Sequence, residues 1–460
     1  MSRNQDLLDA IDNPKRVAIL GAVRSGLAAA KVLKQLGVKV FVSDKATGEK
    51  AKTIQAKLEE IGVEFELGNH STKIYENIDL IVTSPGVDQR SKLFQDAKAK
   101  NIPVWSELEL AWRLHPGKTV AVTGTNGKST VTAWLGECFR QANIPHVVAG
   151  NIGTAFSESV LEMTESHWTI LEVSSFQLDW IDKFAPDVAV ILNLSPDHLD
   201  RYDSLSAYYK SKTAIVRNQS SRQKLVRNED DETVRKYFSD VPGEIFGFSV
   251  NHPLERGVWL GLDRLFLRDA DEYAEKFTKV SDIRLPGKHN LANACAVAGA
   301  CYCAGLPVSV IDAGMKSFTG LHHRLQTIPS NDGLRWVNDS KATTPDSARV
   351  ALLSFDKPVI WLAGGYDKGV EYSGLRKLAS KRAKCLIAFG AAGEKVASSF
   401  DGSLPVYRIG SMKEAMQLAK TMAEENDVIL LSPMCASFDE FTDYEDRGRK
   451  FAAYVEEMQS

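Results

Sequence analysis

Short apolar runs alternate along this chain with longer stretches in which apolar residues return at helical spacing. The short runs read as buried strands and the long ones as helices laid over them, so the pattern predicts an α/β fold with parallel sheets and helical crossovers. From Arg16 the order is a strand at 17–20, a glycine-containing turn, a helix at 25–36, and a strand at 38–43 that delivers Asp44. Strands at 63–67, 79–83 and 103–105 complete a small nucleotide-binding unit. A second series opens at 119–123 and includes 168–173 and 187–194; an irregular stretch, 219–284, decorates its sheet and carries no functional reading. A third series opens near Leu334, with strands at 358–362, 385–389 and 428–431. Hydrophobic cores stop growing near roughly 250–300 residues, so a chain of this length divides. The expected domains are 1–106, 107–320 and 321–460.

Composition narrows the class without changing that layout. With 44% apolar and 25% charged residues the chain is globular. A net charge of −3, with no stripe of Lys and Arg, argues against a nucleic-acid partner. Residues 1–14 lack the basic-then-apolar order of a signal peptide, and no apolar run approaches the roughly eighteen residues that span a bilayer. A cytosolic protein without a membrane partner, working as a monomer on small molecules, is expected. The six cysteines (138, 295, 301, 303, 385 and 435) fall largely inside apolar runs and form no C-x-x-C pair, which fits reduced core thiols.

The sharpest chemical signal is Thr123-Gly124-Thr125-Asn126-Gly127-Lys128-Ser129-Thr130, between a β-branched strand and a long helix. Gly124 and Gly127 allow a tight turn whose N–H groups point inward, and the helix start adds positive potential. Lys128 reaches terminal phosphates, and Ser129 or Thr130 can ligate magnesium. Val122 stands where the strict phosphate-loop pattern has a glycine, yet the Gly-Lys-Ser at a helix start is what phosphates need. In open α/β sheets ligands collect beyond the carboxyl ends of strands. Glu172 ends one strand and is the first magnesium candidate, a helix-capping carboxylate being its alternative. Asp197, His198 and Asp200 follow another, where His198 is a candidate ligand or substrate contact rather than a lone loop histidine.

These segments, together with Gly150-Asn151-Ile152-Gly153, residues 171–178 and Gly287-Lys288-His289-Asn290 through Asn293, resemble the ordered motifs of the Mur ligases over essentially the whole chain. The resemblance implies a Rossmann-like N-terminal domain, a central P-loop ATPase-like domain and a Rossmann-like C-terminal domain. Their implied activity is ATP-dependent peptide-bond formation in cell-wall precursor synthesis. In the third domain, Asn338-Asp339-Ser340-Lys341-Ala342-Thr343, Gly364-Gly365-Tyr366-Asp367-Lys368 and residues 432–441 resemble the D-glutamate-adding branch, and the Asn-Pro-Arg motif of the diaminopimelate-adding branch is not found. The implied substrates are therefore ATP, UDP-N-acetylmuramoyl-L-alanine and D-glutamate.

Carried onto these positions, the resemblance assigns ATP to Gly124, Thr125, Asn126, Gly127, Lys128, Ser129, Thr130, Asn290, Asn293, Arg324 and Asp339. Arg324 would reach the γ-phosphate from the third domain, where His322 and His323 are as readily linker residues. Ser129 and Glu172 would hold one magnesium ion, and His198 with a carbamylated Lys212 a second. Tyr208 and Lys212 share one helical face, and carbamylation turns an ammonium into an oxygen donor that magnesium accepts. Lys210 is the competing lysine, and either lysine can be merely solvated. The precursor falls to Arg24, Ser25, Asp44, Ser84, Pro85, Gly86, Asn151 and His198. Val23 replaces the middle glycine of a dinucleotide fingerprint, which argues against approach to a pyrophosphate by NAD's route. D-glutamate falls to Lys341, Thr343, Lys368, Ser437 and Tyr444, the last at a position where the family usually has Phe. The implied catalytic set is Lys128, Glu172, His198, Lys212 and Arg324. Another ligase of the family, a nucleotide-hydrolysing switch or motor, and a dehydrogenase are the rival readings.

Overall fold

The structure, a computed structural model, describes residues 3–151, 153–197, 201–269, 273–355 and 357–459. It forms two compact units: one comprises Met1–Ile283 and Leu291–Phe318, the other Arg284–Asn290 and Thr319–Ser460.

The first unit holds two sheets. One contains β1 (Arg16–Leu20), β2 (Lys39–Asp44), β3 (Glu64–Leu67), β4 (Leu80–Thr83) and β5 (Val104–Ser106), all parallel, in the order β3-β2-β1-β4-β5. Its three inner strands, β2, β1 and β4, read as continuous apolar runs because both faces are covered. Val17, Ile19, Val40, Val42 and Val82 enter one core cluster, and Ala18, Leu20, Phe41 and Ile81 enter the opposite one.

The second sheet has nine strands: β6 (Lys118–Thr123), β7 (His146–Gly150), β8 (Trp168–Glu172), β9 (Val188–Ile191), β10 (Lys224–Asn228), β11 (Glu244–Ser249), β12 (Gly257–Leu260), β13 (Arg264–Arg268) and β14 (Glu275–Lys279). Their order is β14-β13-β12-β11-β10-β9-β6-β8-β7. After β8 the chain crosses back over β6 to reach β9, so β6 lies at a reversal of strand order, where a crevice opens at the carboxyl ends. Strand β9 is shorter than the expected 187–194. Asn193 is drawn out of the strand by the loop after β6, its carbonyl accepting from Thr125 N at 3.0 Å and its Oδ1 from Asn126 N at 2.8 Å. The irregular stretch resolves into β10–β14, which extend the sheet in parallel to β12 and then fold back antiparallel.

In the second unit β15 (Gln326–Ile328), β16 (Arg335–Asn338), β17 (Val359–Gly364), β18 (Ala383–Phe389), β19 (Val406–Arg408) and β20 (Val428–Met434) are ordered β15-β16-β20-β17-β18-β19, parallel except for β15. Trp361, Ala363 and Leu386 face one core; Ile360, Leu362 and Ile387 face the other. Among the described residues no helix is long and apolar enough to cross a membrane.

Candidate functional site

Strand β6 ends at Thr123, whose hydroxyl is fixed on Val173 O at 2.9 Å, and the chain turns through residues 124–127 into the Lys128–Gln141 helix. The two glycines are dictated by space as well as by backbone. Gly124 has φ +147° and Gly127 φ +87°, and a Cβ on Gly127 would stand 2.7 Å from Asn293 Oδ1. Thr125 is pinned from two sides, its hydroxyl accepting from Ser195 N at 3.0 Å and lying 3.3 Å from the Tyr208 hydroxyl. Lys128 curls over the loop, its Nζ donating to Gly124 O at 2.9 Å and Thr125 O at 2.8 Å. Ser129 and Thr130 are buried in the first helical turn, and Asn126 is exposed at the tip.

Beside the loop, β8 delivers Glu172, which is only 2% exposed. Asn151 Nδ2 donates to its Oε1 at 2.8 Å, while Oε2 is buried with no hydrogen-bond partner among the described residues. A buried carboxylate oxygen without a donor is what a hard cation would complete. One carboxylate, a serine hydroxyl and substrate phosphates form a donor set that suits magnesium, which takes few protein ligands beside phosphate oxygens. His198 and Asp200 lie outside the described residues.

The Leu205–Thr213 helix settles which lysine faces this centre. Lys210 is exposed, whereas Lys212 is 2% exposed, donates to Gly124 O at 3.1 Å and sits 4.8 Å over the Tyr208 ring. Burial, helped by the charge of Lys128, pulls its ammonium down to about 7, against the opposing pull of Asp197, Asp179 and Glu172. Asp179 is a neighbour of this centre that no sequence motif marks. Burial pushes its carboxyl up to about 6 although Tyr202 donates to it at 2.8 Å. Asp179 carries no local pattern by which it could have been found, whereas Asn193 opens the strand-end segment that holds Asp197, and its bonds to the loop give it a role there.

On the first sheet Arg24, Ser25, Asp44, Ser84, Pro85 and Gly86 all line one cavity of about 950 Å³, together with the cations Lys45, Lys50 and Arg90, which no sequence pattern marks. Asp44 is held by main-chain N–H groups of Ala22 (2.6 Å) and Ala46 (2.7 Å). Gly26 cannot be replaced, since a Cβ there would fall 1.8 Å from Gly21 O. Arg24 is turned toward the second sheet, where its Nη2 donates to Gly150 O at 2.9 Å and Asn151 O at 3.0 Å. Arg201 makes the reverse reach, donating to Pro85 O at 3.3 Å and Val87 O at 3.1 Å.

In the second unit Arg324 stands between two residues in the left-handed region, His323 (φ +61°) and Leu325 (φ +45°), a strained placement for either. Asp339 supports this turn from beneath: its Oδ1 accepts from Leu325 N at 3.2 Å and its Oδ2 from Ser432 Oγ at 2.9 Å. Burial pushes the Asp339 carboxyl up to about 7. His323 is packed, with its ring 3.1 Å from Asn338 Nδ2. Asn290 donates to Pro286 O at 2.6 Å.

Lys341, Thr343 and Lys368 gather beyond β16 and β17. Lys368 Nζ donates to Thr343 O at 3.4 Å, and Lys341 Nζ lies 5.8 Å from the Tyr444 ring. The Tyr444 hydroxyl donates to Glu445 at 3.0 Å, and Ser437 is buried in the loop after β20. Arg447, which stands in none of the recognisable motifs, ties these loops together. It donates to Ser340 Oγ (2.9 Å), Ser340 O (2.9 Å), Cys435 O (3.2 Å) and Ala436 O (3.1 Å).

Comparison with known proteins gives three matches to family models. These are the N-terminal domain described as Mur ligase MurD-like (residues 15–106), the Mur ligase middle domain (122–301) and the Mur ligase glutamate ligase domain (323–435). The UDP-N-acetylmuramoylalanine–D-glutamate ligase of Caldanaerobacter subterraneus subsp. tengcongensis is 35% identical over 448 residues, 96% of this chain and 98% of that protein. The protein of the same name from Acidobacterium capsulatum is 37% identical over 443 residues, 96% of each. Among solved structures, the UDP-N-acetylmuramate-alanine ligase MurC of Thermotoga maritima matches with a TM-score of 0.58 at 19% identity, covering 97% of this chain and 100% of that one. The UDP-N-acetylmuramoylalanyl-D-glutamyl-2,6-diaminopimelate–D-alanyl-D-alanyl ligase of Acinetobacter baumannii matches with 0.58 at 16% identity, covering 99% and 98%.

Proposed function

Since this chain belongs to the Mur ligase family, we propose that it joins D-glutamate to UDP-N-acetylmuramoyl-L-alanine at the expense of ATP, a step of peptidoglycan precursor synthesis. The observation that carries this reading is the pairing, at adjacent strand ends, of a glycine loop closed by Lys128 with a buried Glu172 whose Oε2 has no partner among the described residues. In the reaction the precursor's terminal carboxylate forms a new P–O bond to the γ-phosphorus of ATP as the β–γ bridge breaks and ADP leaves. The D-glutamate amine then forms the C–N bond, phosphate departs, and the amine loses a proton.

Each residue has a task derived from its surroundings. The N–H groups of residues 124–128 and the Lys128 ammonium cradle the phosphates. Ser129 and Glu172 would hold magnesium, which when bound offsets the charge crowded between phosphate and carboxylate. A second ion would fall to His198 and Lys212. Carbamylation of Lys212 joins its nitrogen to carbon dioxide with loss of a proton, and a buried amine held near neutrality is the form that reacts. In the first sheet, the cavity flanked by Arg24, Lys45, Lys50 and Arg90 suits a nucleoside diphosphate. Lys341 and Lys368 offer cations to the two carboxylates of D-glutamate, with Thr343, Ser437 and Tyr444 around them. Asn290, Arg324 and Asp339 are the second unit's candidates for ATP. Cytosolic synthesis by a single copy is the setting this reading assigns, and sedimentation of the purified protein checks the copy number.

The test is phosphate release from ATP and magnesium with UDP-N-acetylmuramoyl-L-alanine and a panel of amino acids including both glutamate enantiomers. Release that needs both the precursor and D-glutamate, with a product heavier by one glutamyl residue, is expected. Release with another amino acid would move the assignment within the family, and release without an acceptor would overturn it. Lys128→Ala is expected to abolish turnover while leaving the protein folded; normal rates in a folded variant would remove Lys128 from the site. For Lys212, a carbamate carbon signal after equilibration with ¹³C-bicarbonate, absent in Lys212→Ala, is the expected result.

A further inference from the structure

Arg24 begins the Arg24–Gln35 helix of the first sheet and lines its cavity, yet its guanidinium is engaged by the second sheet. Besides the bonds from Nη2 to Gly150 and Asn151, its Nη1 donates to Gly153 O. The three carbonyls belong to the last residue of β7 and to the loop that leaves it. A guanidinium has five N–H donors in a fixed fork, so these bonds leave two for another acceptor. Burial raises the carboxyl of Glu107, which accepts from Ser157 N at 2.6 Å, and the Arg24 charge works against that rise.

The same loop holds Glu172. Asn151 donates its main-chain N–H to Glu172 O at 2.9 Å and its side-chain amide to Glu172 Oε1 at 2.8 Å, and this leaves Oε2 as the oxygen without a partner among the described residues. The contact is tight: Gly150 has φ +107°, and a Cβ there would stand 2.4 Å from Glu172 O. Hydrogen bonds therefore run without a break from the wall of one cavity to the carboxylate of the other site. Building on the reading of that cavity as the precursor's and of Glu172 as a magnesium ligand, we infer that Arg24 is a positioning residue that couples a diphosphate in the first cavity to metal-nucleotide binding at Glu172. The two donors not engaged by the loop take the diphosphate, and the ordered guanidinium then fixes Asn151 and with it the direction of Glu172. Coupling of this kind is reciprocal, so each ligand tightens the other by one factor.

The experiment measures Mn²⁺–ATP binding to the full chain from the electron paramagnetic resonance signal of free Mn²⁺, with and without uridine 5′-diphosphate as the cavity probe. Uridine diphosphate is expected to tighten Mn²⁺–ATP binding about fivefold in the wild type. Arg24→Ala should lose that enhancement and bind Mn²⁺–ATP more weakly even without the probe. Arg24→Lys, which keeps the charge but lacks the fork, should recover it only in part. Asn151→Ala should behave like Arg24→Ala, and the double variant should be no worse than either. If Arg24→Ala weakens uridine diphosphate binding alone, or if the two losses multiply in the double variant, the relay is overturned. Should Arg24→Ala fail to fold, Arg24→Lys and Asn151→Ala decide by the same readout. Lys128→Ala and Glu172→Ala serve as separate controls: normal Mn²⁺–ATP binding in both would remove the underlying site assignment, whatever Arg24 does.

Discussion

Arg447 has no exposed surface and no carboxylate within salt-bridge reach among the described residues; its charge is met by a serine hydroxyl and three main-chain carbonyls of two loops. Burial draws the guanidinium down to about 10, so it is still charged at neutral pH. Arg447→Met should leave Ser340 O and Cys435 O without their Arg447 donor, Ala436 O keeping only the N–H of Tyr366, and lower stability by about 2–3 kcal/mol, read as a fall in the urea midpoint, with KM raised more for D-glutamate than for ATP. Asp339 gives a pH signature. Its folded carboxyl is raised from 3.8 to about 7, so its contribution to stability is complete below 3.8 and is lost as pH rises through about 7. Thermal midpoints taken from pH 5 to 8 should therefore fall less steeply in Asp339→Asn than in the wild type. At this scale the sequence displays what is local. Lys128 announces itself because glycine, lysine and helix start are neighbours, whereas Arg447 meets Ser340 across 107 positions and no spacing rule points there.

Helices and strands are legible wherever both faces of a strand are buried, since a strand covered on both sides needs an unbroken apolar run such as 17–20. The 219–284 segment is not, because β10–β14 are four to six residues long and interleaved with polar loops. Their pairing rests on contacts such as Gly257 against Gly247, where a Cβ would sit 2.1 Å from a carbonyl. One helix contact is equally demanding. The Lys128–Gln141 helix packs on the Val308–Ser317 helix through Gly314, where a Cβ would fall 2.5 Å from Cys138 Sγ and 2.9 Å from Cys138 Cα. Trp134 Nε1 fastens the same contact by donating to Gly314 O at 3.2 Å. Gly314→Ala should force the helices apart at a cost of about 1–3 kcal/mol, measured by denaturant unfolding, and Cys138→Ala in the same chain should recover part of it. An unchanged midpoint in Gly314→Ala would show that the contact yields freely.

For the molecule as a whole, three sheets follow the three series of apolar runs, but the contacts group them as two units. Long-range bonds that no periodicity reveals bind the first two sheets. Among them are Arg24 to Gly150, Arg201 to Pro85 and the buried Arg113, which joins Asp12 at 2.8 Å to Asp182. Each unit has core clusters of its own, so unfolding should not be a single two-state event. Scanning calorimetry should give a van't Hoff enthalpy below the calorimetric one; equal values would mean that the units melt together.

The chain does not pass from one unit to the other once. Residues 284–290 leave the first unit, join the second and return before the final crossing at 319. In the second unit their segment sets Leu285 beneath Gly320 and Gly287 beside Ser354. A protease nick near 319 would therefore not release two native halves: the C-terminal fragment would be missing a seven-residue insert of its own fold, and the N-terminal fragment would carry that insert with nothing to fold against.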